Sequence, residues 1–417
     1  MMRSMFSGVT GLRNHQIKMD VIGNNIANVN TVGFKKSRVT FQDALSQTIR
    51  GASSAQGGRG GTNPMQVGLG MEIASIDTLH YSTSAESTGN ITDLAIGGEG
   101  MFILSDGLNR YYTRAGNFIF DEKGNFISSS NGLKVLGWQY DITQSTPPDK
   151  TPQNLEQIII KKGMMVPANA TSLVKFDKNL NAETSEGDHY KIPFHIYDSL
   201  GREHTLEVTF TKSSQDNTWN YVIEADPDDV LIENIRNIDG TIVFDENGFF
   251  DPNATGVIDQ VEIDISGSTS VQFTPDFDQV TQYAKETSID LMVQDGYAAG
   301  TLLGITIDIT GTITGVFDNG LNQELAQIAI ANFDNPGGLI KKGQNLYELS
   351  NNSGRPQIGT AGTGGRGTLS PGSLEMSNVD LSEEFTQMII TQRGFQANSR
   401  IISTSDEILQ ELVNLKR

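Results

Sequence analysis

The sequence contains no cysteine, which excludes disulfide staples, thiol chemistry and Cys-ligated zinc. No apolar run approaches the roughly 18 residues of a membrane-spanning helix, so none is expected. The N-terminus lacks the charged segment, apolar segment and small-residue cleavage site of a secretory signal. Any export is therefore expected to proceed without a cleaved Sec-type peptide. Histidine is scarce: His15, His80, His189, His195 and His204 include no HxxxH or HExxH pair, leaving a His-based metal site without local support. Ser7, Ser105 and Ser199 have no GxSxG context, and neither Gly57–Gly61 nor Gly97–Gly100 leads into the Gly-Lys-Ser/Thr of a phosphate loop. The segments opening at Asp121 and Asp245 look superficially like calcium loops. Both lack the alternating ligands and distal glutamate, and hairpin turns explain them better. With 50 acidic residues in the chain, proximity alone picks out no glycosidase pair. No catalytic residue, metal or cofactor is expected.

What is present is a turn-rich, acidic chain. Of 417 residues, 37% are apolar, 19% are charged and 44 are glycine, a profile of many short strands spread over two to four domains. The formal charge is -20, yet the first 50 residues carry seven basic side chains against Asp20 and Asp43. The acidity therefore sits in the middle. An acidic body argues against nucleic acid and anionic membrane as partners.

The two ends read as helices. Met5, Leu12, Met19 and Ile26 recur at heptad spacing, with Gly8, His15, Ile22 and Val29 as the adjacent row on the same face. Near the other end, Asp380 followed by Glu383 reads as a capping box. Behind it Leu381, Phe385, Met388, Phe395, Ile402, Leu409 and Val413 hold a 3–4 spacing, flanked by Ile389 and interrupted by Gln392, Ser399 and Asp406. That helix would be about 50 Å long. Unpaired stripes of this length are marginal in water. The ends are therefore expected to pair, with each other or with neighbouring chains, and to be disordered in the free monomer. The named apolar residues, Met5, Leu12, Met19, Ile22, Ile26 and Val29 with Leu381, Phe385, Met388, Ile389, Phe395, Ile402, Leu409 and Val413, are the candidate assembly interface.

Between the ends, Gly51–Gly70 has seven glycines and no periodicity, the mark of a linker or an arm laid on another surface. From about residue 71 to 375 the pattern is β, with strand-like runs such as His204–Phe210 and Val261–Ile265 alternating with turn clusters. Phe-Asp hairpin signals recur at Phe120, Phe244 and Phe317. Pro147, Pro148 and Pro152 mark a boundary before the middle section.

Several stretches resemble one family. MFSGVTGLRNHQIKMDVIGNNIANVNTVGFKKSR at the start and GSLEMSNVDLSEEFTQMIITQRGFQANSRIISTSDEILQELVNL at the end are similar to the terminal signatures of the bacterial flagellar rod, hook and hook-associated axial proteins. ITDLAIGGEGMFIL, YTRAGNFIFDEKGNFISSSNGLKVLGW and NGLNQELAQIAIANFDNPGGLIKKGQNLYELSNNSG are also family-like. IPFHIYDSLGREHTLEVTFTKSSQDNTWNYVI looks like a domain of the hook members, absent from the shorter rod proteins. Some hook relatives cross-link through cysteine, a chemistry this chain lacks.

The resemblance implies an α+β, mainly β fold of nested β domains whose terminal helices pair in a coiled-coil-like inner domain. Residues 1–32 plus 378–417 would form that inner domain and 33–70 the Gly-rich arm. An inner β domain would take 71–145 plus 290–377, with an outer β domain of 146–289 inserted into it. The implied role is a structural, non-enzymatic subunit of the extracellular hook, a curved tube acting as a universal joint. Its implied partners are copies of itself, the distal rod protein, the hook–filament junction protein, the hook cap and the flagellar type III export apparatus. A distal rod or junction subunit is the near alternative. An exported carbohydrate-active β protein or an adhesin is a remoter one, and neither explains the matched helical ends.

Overall fold

A computed structural model describes residues 2–54, 60–142, 148–227 and 229–415. Part of the Gly-rich stretch (55–59) and Pro147 of the proline boundary lie outside the described residues.

The fold is mainly β, with one long helix at each end. The N-terminal helix, Met2–Ala27, passes through an Asn-rich turn to Gly33. Gly33 has φ +67°, and a Cβ there would stand 2.6 Å from the Ala115 nitrogen, so this close approach requires glycine. Strand Ser37–Asp43 then pairs antiparallel with Met71–Thr78. Between them, Ser46–Arg50 and Met65–Gly68 form a two-stranded ribbon with every residue exposed. The expected arm is thus a hairpin at its base.

The first β body is a branched sheet. Its main path runs Met165–Val166, Gly300–Ile307, Thr312–Phe317, Asn322–Ile328, Lys134–Gln139, Met101–Ser105, Arg110–Thr113, Leu346–Glu348 and Ile340–Gly343. Its core includes Phe102, Phe118, Phe126, Ile313, Phe317 and Ile328, with Tyr112 and Trp138 in a second cluster. Ala85–Ser87 pairs with Ser373–Glu375, and Leu94–Gly97 with Thr368–Pro371, so distant parts of the chain close this body together.

The second body packs two sheets on one core of Phe176, Phe194, Phe210, Trp219, Phe273 and Phe277. A four-stranded meander holds His189–Tyr197, Glu203–Lys212, Thr218–Ala225 and Asp239–Val243. Its strands alternate buried and exposed as a half-covered sheet must, with Leu206, Val208 and Phe210 inward. In the facing five-stranded sheet, Leu173–Asn181 runs parallel to Val271–Tyr283 and antiparallel to Asp290–Gln294.

The sheets divide the chain differently from the expected boundaries at 146 and 289. Glu156–Gln157 pairs with Lys134–Gln139, and Met165–Val166 with Gly300–Ile307. Ile158, Ile160 and Val166 fill the first core, so this segment belongs to the first body. Asp290–Gln294 conversely belongs to the second. Pro148 and Pro152 lie in a loop and mark no change of layer; the chain passes between the bodies at the Asn169–Tyr297 bridge. The suspected calcium loops are turns. Asp121 accepts from the Lys123 and Asn125 amides, and Asp245 from those of Asn247 and Phe249.

Candidate assembly surface

The C-terminal helix, Leu381–Asn414, runs antiparallel to the N-terminal helix. Gly8 lies against Ile402, Gly11 against Asn398 and Gly394 against His15, while Lys18 Nζ donates to Gln387 at 3.0 Å. A Cβ on Gly11 would stand 2.6 Å from the Asn398 amide, and one on Gly394 would stand 2.8 Å from His15 Nε2. Small residues are thus what lets the helices approach so closely. The buried face of the first helix is Gly8, Gly11, Asn14, Ile22 and Asn25. Its partner buries Glu384, Thr391 and Ser405.

This seam corrects part of the sequence reading. Met388, Phe395, Ile402 and Leu409 are half-buried along the pair, as are Met5, Leu12, Met19, Ile26 and Val29, and Ile22 is buried. The second row of the C-terminal helix lies one position earlier than the apolar pattern suggested, at Glu384, Thr391, Asn398 and Ser405. Leu381, Phe385, Ile389 and Val413 are instead 40%, 50%, 52% and 67% exposed. Heptad recurrence of small polar residues was the signal that could have found the true row. Asp380 caps the helix as expected, accepting from the Ser382 and Glu383 amides. Glu383 does not complete the capping box, because its carboxylate takes Lys36 Nζ at 2.7 Å.

A polar clasp fastens the helix pair to the Ser37–Asp43 and Met71–Thr78 strand pair and the residues flanking it. Asn25 exchanges hydrogen bonds with the backbone of Ser37 and donates to Glu384 at 3.2 Å. Asn378 accepts from the Lys36 amide at 2.6 Å and donates to the Leu79 carbonyl at 2.8 Å. Asn14 donates to the Met71 carbonyl. Burial works to lower Lys36, but the Glu383 hydrogen bond and nearby negative charges leave it raised.

Beneath the clasp, Lys35 Nζ meets Glu375 Oε1 at 2.7 Å, and Arg114 Nη1 meets Oε2 at 3.3 Å. Lys35 also donates to the Tyr81 carbonyl, and Arg114 to those of Ile96 and Gly98. Burial lowers the Lys35 and Arg114 pKa values, with Glu375 opposing it in both. Sequence reasoning missed this triad, for which no local motif exists.

With the seam closed, large apolar side chains remain outside it. Met2, Phe6 and Val9 are exposed on the first helix, and Leu381, Phe385, Ile389, Ile390, Ile401 and Ile408 on the second. Since Gly8 meets Ile402 in an antiparallel pair, the first helix begins opposite the region of Ile408. Val413 and Leu415 extend past that point and are 67% and 83% exposed. Ile401, Ile408 and Leu415 recur at heptad spacing, a second stripe available to another helix. Among the described residues no group of three or more His, Asp or Glu side chains is placed to hold a metal, and no helix is long and apolar enough to cross a membrane.

The comparisons with known proteins agree along the chain. Residues 5–35 match the flagella basal body rod protein family, 95–174 the flagellar hook protein FlgE/F/G D1 domain, 166–297 the flagellar basal body protein FlaE D2 domain, and 370–415 the flagellar basal body rod FlgEFG protein C-terminal family. Flagellar hook protein FlgE of Borreliella burgdorferi is 42% identical, and that of Treponema pallidum 40%, with all of each chain covered in both cases. The flagellar basal-body rod protein FlgG of Bacillus subtilis is 35% identical over all of both chains. The crystal structure of Helicobacter pylori flagellar hook protein FlgE2 matches with a TM-score of 0.54 at 15% identity, covering 70% of this chain and all of that one, a likeness of fold. With full-length identity to hook proteins, a matching D2 domain and helical termini on nested β bodies, the chain belongs to the flagellar hook protein FlgE family.

Proposed function

We propose that this chain polymerises through its terminal helices into the curved tube of the flagellar hook, a flexible joint that passes motor torque to the filament. The observation that carries the reading is the apolar surface left on both helices after their own seam has closed. In this reading 1–32 and 378–417 form the inner tube, the 33–70 arm bridges copies, and the β bodies lie outside. Helix packing between copies resists rotation. Contacts between the acidic, polar β bodies exchange as the tube bends, since such interfaces permit motion. Further partners are the distal rod protein, the junction protein, the hook cap and the type III export apparatus, and the polymer lies outside the cell.

The kinship with a rod protein keeps one rival open, a straight and stiff axial segment. Electron microscopy of the assembled chain decides between them: curved tubes support the hook, and uniformly straight rods overturn it.

One row of the seam is glycine, asparagine, threonine and serine, and its apolar row is only half-buried, so the isolated helix pair gains little from pairing. In the dilute monomer, backbone amide exchange is expected to be fast from Met2 to Leu12 and beyond Ile401, and slower toward the clasp. Uniform protection along both helices would contradict this.

A further inference from the structure

His80 lies at the centre of the clasp. The carbonyls on either side of it are held there, Leu79's by Asn378 Nδ2 at 2.8 Å and Tyr81's by Lys35 Nζ at 2.7 Å. The Leu79 amide donates to the Lys36 carbonyl, and the Tyr81 hydroxyl to the Asn378 carbonyl. The ring stands edge-on to Tyr347, with centroids 5.1 Å apart. Neither ring nitrogen has a hydrogen-bond partner in the protein. A cavity of about 40 Å³, lined also by Glu99, Arg114, Asn332 and Phe333, adjoins it and has room for water to serve a neutral ring.

The charges facing this ring are mostly of one sign. Lys35 from the turn after the first helix, Arg114 from the loop after Arg110–Thr113, and Lys341 from Ile340–Gly343 all act on it as cations. Glu375 already spends both oxygens on Lys35 and Arg114. Glu99 takes the Asn332 amide at 3.2 Å. Among the described residues Lys341 donates to the Lys35 carbonyl and the Ser37 hydroxyl, both uncharged acceptors. A proton on His80 would add a further positive charge beside Lys35 and Arg114, whose shared carboxylate, Glu375, is already paired with both.

We propose that His80 is a proton-operated latch: neutral, it completes the joint between the terminal segments and the first β body, and its protonation in the free chain opens that joint. Burial, with Lys35, Arg114 and Lys341 after it, lowers the ring from 6.5 to about 4. The open state therefore binds the proton more tightly. Stability is fully present above pH 6.5 and is lost as pH falls toward 4. Between pH 7 and pH 5 the opening equilibrium rises roughly twentyfold from this group alone.

The test compares wild type with His80→Gln, whose side chain gains no charge. Amide exchange is read for the peptides spanning 33–37 and 375–379 at pH 7 and pH 5, corrected for intrinsic rate. Wild type is expected to lose protection by about that factor, and His80→Gln to lose little. Parallel losses in both proteins would overturn the latch. Should the variant fail to fold, the His80 ring titrated by NMR in the wild type decides instead. A midpoint well below 6.5, with protection at the joint falling as pH drops from 6.5 toward that midpoint, supports the latch; an ordinary midpoint, or a low one with protection unchanged, refutes it.

Discussion

Glu375→Gln is expected to cost about 3–5 kcal/mol of stability in the first β body. Glu375, Lys35 and Arg114 have side chains 1%, 0% and 3% exposed, so the substitution leaves two buried cations without their carboxylate. Glu375 also accepts from the Thr83 amide, and its strand pairs with Ala85–Ser87, so local order fails with the charge. With Glu375 neutral, burial acts unopposed on Lys35 and favours the uncharged amine. The melting transition of this body should fall by roughly 10 °C. Arg236→Ala supplies the contrast. Arg236 bridges Glu262 and Asp264 but is 54% exposed, and its loss should cost less than about 1 kcal/mol. If the two variants melt alike, the triad does not secure the joint.

The sequence displayed some of this architecture and hid the rest for identifiable reasons. Met388, Phe395, Ile402 and Leu409 were legible because apolar side chains on one helix face leave a period. Their partner row was not, because Thr391, Asn398 and Ser405 contribute by being small and hydrogen-bonding, properties an apolar pattern does not register. Phe385 was drawn into the seam for the same reason: it is large and apolar at nearly the right phase. The meander's alternation through Glu203–Lys212 was visible, whereas the parallel pairing of Leu173–Asn181 with Val271–Tyr283 spans too much chain for any local signal. Lys35 and Glu375 are 340 positions apart. Nothing short of the folded β body brings them together, and a clasp built on such contacts exists only as tertiary structure.

The displacement of Phe385 from the seam makes it the residue that separates assembly from folding. Phe385→Asp should abolish polymerisation while leaving the free chain as stable as wild type within about 1 kcal/mol. The side chain is half exposed and flanked by Leu381 and Ile389 at i±4 spacing, so its removal opens no cavity in the monomer. An aspartate there lies near the helix N-terminus, where the macrodipole favours negative charge. In a polymer the same change forfeits about 2–3 kcal/mol of apolar burial and places a carboxylate in an apolar contact, repeated at every subunit. Phe395→Asp differs in kind, since Phe395 is half-buried in the pair and its loss should weaken the monomer's helices as well. Arg236→Ala, 54% exposed on the second β body and away from both helices, should assemble normally. Sedimentation and electron microscopy at a concentration where wild type forms tubes read the assembly, and thermal melts read the fold. Tubes of normal yield from Phe385→Asp would show that the exposed stripe is not the surface on which copies meet.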